Sequence, residues 1–158
     1  MGEIGEIAAP NCGILRGGLG VARPATKSSA MAVIYWFKRD LRRTDSPALA
    51  YAAARGAVLP IYIVEPDYWA LPDTSARQWT FVAACLYDVR REVPLTVRVG
   101  NAVEVLAALA RETGAEEIVS HEETGNLWTY ARDRRVSAWA RDAGIRWTEL
   151  PQSGVVRR

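Results

Sequence analysis

Ala32-Val33-Ile34-Tyr35-Trp36-Phe37-Lys38-Arg39-Asp40-Leu41-Arg42-Arg43-Thr44-Asp45-Ser46-Pro47-Ala48-Leu49 is the stretch whose pattern orders the rest of the chain. Its opening, 32–37, is apolar without a break, the composition of a strand covered on both faces rather than one facing water on one side. A charged loop, 38–45, follows. Asp45 or Ser46 then offers a side-chain oxygen to the unpaired amides of a first helical turn, and Pro47 suits that turn because its φ is fixed and it lacks an N–H. Gly56 marks the end of this helix, and 58–64, Val-Leu-Pro-Ile-Tyr-Ile-Val, reads as a second buried strand.

The alternation continues toward the C-terminus. Ser75 can cap a long helix over 76–92, in which Trp79, Val82, Ala83, Leu86 and Val89 recur at helical spacing and mark a core face. A short strand at 96–99 leads to a helix capped by Asn101, with Val103, Leu106, Ala107 and Ala110 on one side and Gly114 as its stop. A fourth strand lies at 117–120. A helix over 129–143, with Val136, Trp139, Ala140 and Ala143 on one face, precedes a fifth strand at 146–150. Five strands alternating with helices predict an α/β fold: a doubly wound, five-stranded parallel sheet in a Rossmann-like three-layer sandwich. In such folds ligands bind at the carboxyl ends of the strands, so loops 38–45, 65–73 and 121–128 are the candidate binding edge.

Residues 1–30 differ. Glycines at 2, 5, 13, 17, 18 and 20 and prolines at 10 and 24 leave no apolar period, which predicts a disordered or spurious N-terminal extension, with Met31 as the expected true start. Glu3 and Glu6 stand where a secretory signal would carry basic residues. The glycines at 13–20 follow no strand and meet no Lys-Ser/Thr pair, so they do not form a phosphate loop. A formal charge of +2 gives no electrostatic case for nucleic-acid binding, and no apolar run reaches membrane-spanning length. Cys12 and Cys85 are isolated and lack neighbouring histidines, so neither a metal site nor a disulfide framework is expected. A reducing, cytoplasmic setting fits these features.

The block Trp36-Phe37-Lys38-Arg39-Asp40-Leu41-Arg42-Arg43-Thr44-Asp45-Ser46-Pro47-Ala48-Leu49 resembles the opening of the photolyase and cryptochrome family, W-F-R-R-D-L-R-L-x-D-N-P-A-L. A second block, 121–133, His-Glu-Glu-Thr-Gly-Asn-Leu-Trp-Thr-Tyr-Ala-Arg-Asp, sits where that family has an acidic, polar loop and an A-R-D helix. A third, 151–158, resembles the stretch after the last strand. The resemblance implies that 31–150 is the family's N-terminal α/β domain and that 151–158 begins an interdomain linker which this chain truncates. It also implies that FAD, the electron-transfer tryptophans, lesion binding and light-dependent carbon–carbon lyase chemistry belong to a following helical domain missing here. That partner would be supplied in cis or in trans, DNA would be met only through it, and no catalytic residue is expected in this chain.

The same resemblance implies a light-harvesting antenna pigment in some members: a deazaflavin, a flavin or a folate. Trp128-Thr129 stands where folate members commonly carry Asn-Glu, which turns the expectation toward a deazaflavin, a flavin or an empty site. Arg39 is placed to meet an anionic pigment tail, whereas Asp40, though in the candidate cofactor-binding set, reads first as a partner of Arg42 that holds the loop rigid. Glu122 and Glu123 are adjacent, so only one is expected to face a ring while the other faces solvent. Trp128 is either a stacking face or a plug closing its helix on the sheet. Arg132, in the A-R-D motif, completes the candidate cofactor-binding set. His121 reads as a hydrogen-bonded structural group, and Trp36, Trp79 and Trp139 as packing. A small ATP- or AMP-binding sensor of similar fold is the alternative; it explains the architecture but not the 36–49 block.

Overall fold

The computed structural model describes residues 31–152. The expected extension at 1–30, and most of the expected linker at 151–158, lie outside the described residues. Five parallel strands form one sheet: β1 (Ala32–Phe37), β2 (Ala57–Val64), β3 (Thr96–Val99), β4 (Glu117–His121) and β5 (Arg146–Leu150), in spatial order β3-β2-β1-β4-β5. β1 is central, with Trp36 in register with Ile61 on one side and Ser120 on the other. The connections carry α1 (Pro47–Arg55), α2 (Pro66–Trp69), α3 (Ala76–Glu92), α4 (Ala102–Thr113) and α5 (Leu127–Asp142). The predicted doubly wound parallel sheet is therefore present.

The unbroken apolar run of β1 has a two-faced cause. Side chains alternate along a strand, so Val33, Tyr35 and Phe37 pack with Ala48 and Ala52 of α1 and Leu86 and Val89 of α3, while Ile34 and Trp36 pack with Leu106 of α4 and Val136 of α5. Both faces of β1 are thus covered, and burying each large side chain contributes about 1.5–3 kcal/mol.

Local chemistry sets the helix ends. Ser46, not Asp45, is the cap of α1, with its Oγ accepting from the Leu49 amide at 3.3 Å; Asp45 precedes it at φ 53. Ser75, Asn101 and Asn126 cap α3, α4 and α5 in the same way. The Asn126 cap starts α5 at Leu127, two residues earlier than its apolar spacing predicts. Gly114 closes α4 at φ 68, the left-handed conformation that glycine adopts without a Cβ penalty. The short helix α2 was not anticipated within loop 65–73. No helix among the described residues is long and apolar enough to cross a membrane.

Candidate functional site

The strand order reverses at the β1–β4 pair: the chain winds outward from β1 through β2 to β3, then crosses back to β4 and outward to β5. Loops leaving the carboxyl ends of β1 and β4 part in opposite directions and open a crevice. A cleft of about 510 Å³ lies along the carboxyl ends of β1 and β2, bounded by α2, α3 and the start of α5. That is within the usual range for a small-molecule site. Trp36, Phe37, Tyr62, Tyr68, Trp69 and Phe81 contribute aromatic surface; Lys38, Arg39, Glu65, Arg77, Glu123 and Arg132 contribute charge. Phe81 is 72% exposed, so the aromatic lining runs out to the surface of α3.

Arg132 is the hub of the polar side. From α5 its guanidinium donates from Nη1 to Glu65 at 2.9 Å, from Nη2 to Glu123 at 2.5 Å and from Nε to Asp133 at 2.9 Å. Lys38 Nζ bridges Asp133 and Glu149, each at 2.8 Å. The Arg132 Cζ also lies 4.9 Å from the Trp36 ring centre, a cation–π contact at the cleft wall. Lys38 and Arg132 face three buried carboxylates, Glu65, Glu123 and Asp133. Burial pushes the Glu65 carboxyl above the usual range, and the charge of Arg132 only partly offsets that. Burial acts to lower Arg132, but Asp133, Glu65 and Glu123 outweigh it and hold the guanidinium protonated. Burial also lifts the Tyr62 hydroxyl to about 12, so it faces the cleft as a neutral group.

Glu123 also shapes its own loop. Its Oε1 accepts from the amides of Thr124 and Gly125 at 3.0 and 2.7 Å. A Cβ at Gly125 would fall within 2.5–2.8 Å of Thr129 Oγ1, Arg39 Nη1 and Glu123 Oε1, so a side chain here would have to push these three groups aside.

A second polar cluster lies on the other side of β1. The Tyr35 hydroxyl meets Ser46 Oγ at 3.2 Å, and Ser46 Oγ meets His121 Nε2 at 3.3 Å. Asp40 stands 3.7 Å from that same nitrogen and accepts from Arg42 Nε at 2.7 Å. His121 Nδ1 is buried and has no hydrogen-bond partner among the described residues. Serine, histidine and aspartate are thus adjacent without forming a nucleophilic relay, which needs the two oxygens on opposite ring nitrogens. Ser46 is also engaged as a helix cap.

Of the residues singled out from sequence, Arg39, Glu123 and Arg132 line the cleft. Asp40 lies instead in an adjoining polar depression with Arg39, Arg42 and Gln152. Glu122 lines neither, and its amide donates to the Leu150 carbonyl at 2.9 Å. Trp128 does not line the cleft; it is half-buried and its ring packs 5.5 Å from Tyr68, which does line it. Loop 65–73 was expected at the binding edge, but its Glu65, Tyr68 and Trp69 were not singled out, and Arg77 was missed. The Glu65-Pro66 pair was a legible helix-start signal, but nothing local told that its carboxylate would meet Arg132. Among the described residues no cluster of histidine, cysteine or acidic side chains is placed to hold a metal ion.

Comparison with known proteins converges on one group. The family model described as DNA photolyase matches residues 33–157. Cryptochrome DASH of Oryza sativa subsp. japonica is 35% identical over 104 residues, covering 58% of this chain and 18% of that protein. Cryptochrome DASH of Natronomonas pharaonis is 33% identical over 132 residues, covering 73% and 27%. Among solved structures, the bacterial class III photolyase of Agrobacterium tumefaciens superposes with a TM-score of 0.69 at 25% identity, covering 82% of this chain and 27% of that one. The archaeal photolyase of Sulfolobus tokodaii, described with two FAD molecules and as implying a novel light-harvesting cofactor, gives a TM-score of 0.67 at 24% identity. The chain spans less than a third of the length of each of these four proteins.

Proposed function

The chain belongs to the DNA photolyase family, and from that premise we propose that residues 31–152 are a light-harvesting and docking platform that holds a flat antenna pigment in the cleft beside β1. The observation carrying this reading is a volume of about 510 Å³ with aromatic walls, a buried guanidinium–carboxylate hub on one side and cationic side chains along its lining. Tyr68 and Trp69 of α2 and Phe81 of α3 offer faces and edges to a planar ring system. Glu65, Glu123 and Arg132 offer the directional acceptors and donors that a heterocycle edge requires. A deazaflavin or flavin fits this donor set, whereas Trp128-Thr129 is not the Asn-Glu pair of folate members. When bound, such a pigment absorbs near-ultraviolet or blue light and passes the excitation on.

In this reading, cleavage of pyrimidine dimers rests on a helical FAD-binding domain, on the same or a separate chain, and contact with DNA comes through that domain. The exposed Phe81, Leu127 and Tyr130 are apolar surface that such a partner would cover. The test is an absorption spectrum of the protein purified from its native host, with mass spectrometry of whatever is released on denaturation. A stoichiometric deazaflavin or flavin is expected. A spectrum of tryptophan and tyrosine alone, unchanged after incubation with either pigment, would overturn the antenna reading.

A further inference from the structure

We propose that Arg77 and Arg39 together grip a phosphate at the mouth of the cleft, so that the site selects a phosphorylated heterocycle over the same ring without its phosphate. The inference rests on the pigment reading of the cleft and adds the part of the ligand that the aromatic walls cannot choose.

Charge is distributed unevenly along the site. The Arg132 guanidinium is already engaged: Glu65 and Glu123 take its two terminal nitrogens and Asp133 takes Nε. Arg39 and Arg77 also line the cleft, yet both are exposed, and among the described residues neither makes an ion pair or hydrogen bond. They come from different walls: Arg39 from the loop after β1, Arg77 from the first turn of α3. Carboxylates bound to Arg132 and two exposed guanidiniums on other walls would orient a ligand, with ring N–H groups toward the carboxylates and an anion toward the arginines. Two guanidinium forks suit a phosphate monoester, which carries about −1.5 to −2 charge at neutral pH and three acceptor oxygens. The bare Gly125 lets the Arg39 guanidinium lie across the β4–α5 loop, where a methyl group would displace it.

Titrating the 158-residue chain with flavin mononucleotide and with riboflavin, followed by quenching of flavin fluorescence, separates the two levels of the argument. The mononucleotide is expected to bind about tenfold more tightly, the factor that one net charge-assisted contact supplies, and to weaken as salt rises. Arg77→Gln and Arg39→Gln should each erase most of that preference, weakening the mononucleotide severalfold more than riboflavin. Equal binding of the two flavins would overturn the phosphate grip while leaving the pigment cleft intact. An Arg77→Gln variant that binds the mononucleotide as the parent does would remove Arg77 from the grip. If a chain folded by circular dichroism bound neither flavin, the grip and the flavin reading of the cleft would fall together.

Discussion

Two polar clusters flank the carboxyl end of β1, and they solve opposite problems. On the α4/α5 side, Arg132 gathers Glu65, Glu123 and Asp133 around one guanidinium against the indole of Trp36, and the group opens into the cleft. On the α1/α3 side, Tyr35, Ser46, His121 and Asp40 run as a chain of hydrogen-bonding and charged contacts that caps α1 and fastens loop 38–45. Stability alone gives no reason for the first arrangement, because a buried ion cluster is generally no better than well-packed apolar residues of similar volume. The second needs no ligand to explain its contacts with Ser46, which satisfy buried polar groups and cap α1, although His121 Nδ1 is left without a partner among the described residues. One cluster holds charge next to an opening; the other closes a helix end.

The largest effect that would test this contrast is Arg132→Met. It removes the guanidinium while keeping an unbranched side chain of related length, and it takes from Glu65, Glu123 and Asp133 the cation they share. Stranding buried charge in this way is expected to cost about 3–5 kcal/mol, read from urea unfolding, and to abolish pigment binding. A loss under about 1 kcal/mol would mean that the carboxylates take up protons cheaply, and the hub would no longer differ in kind from its counterpart. Ser46→Ala strikes the other cluster. It deletes the α1 cap and leaves the Tyr35 hydroxyl and His121 Nε2 short of a buried partner, a cost of about 2 kcal/mol. Flavin affinity should not move, since Ser46 does not line the cleft; a parallel loss of binding would show that the two clusters act as one.

How far each cluster was legible in sequence follows from the same contrast. Ser46-Pro47 after a charged loop announces a helix start by local chemistry alone, and the unbroken apolar run of β1 announces a strand covered twice. The hub depends on pairs far apart in the chain: Arg132 meets Glu65 across 67 positions and Lys38 meets Asp133 across 95. Arg132 entered only through its resemblance to a family motif, Glu65 only as the first residue of binding-edge loop 65–73, and Arg77 not at all, because no local periodicity tells which distant side chain each will meet. Trp79 shows the limit differently. Helical spacing places it on a core face, yet it stays half-buried with its ring 5.0 Å from Trp69, because the unanticipated helix α2 packs against the start of α3.

The finest test concerns proton uptake within the hub. Glu65 has its carboxyl raised above the ordinary 4.5, first by burial and against the pull of Arg132. The sign follows from linkage: between the unfolded and folded values the native state binds the proton that the unfolded chain has released. The stabilisation from this group is therefore complete below about pH 4.5 and is lost as pH rises through the folded value. Glu65→Gln removes that titration. Thermal melts of parent and variant from pH 4.5 to 8 should show the parent losing stability relative to the variant as pH rises, while a gap constant with pH would show that Glu65 titrates as it would in solvent. Ser46→Ala, with no titratable group changed in the hub, should leave this relative slope as it is in the parent, so the pH dependence separates the two clusters even where their costs in stability overlap.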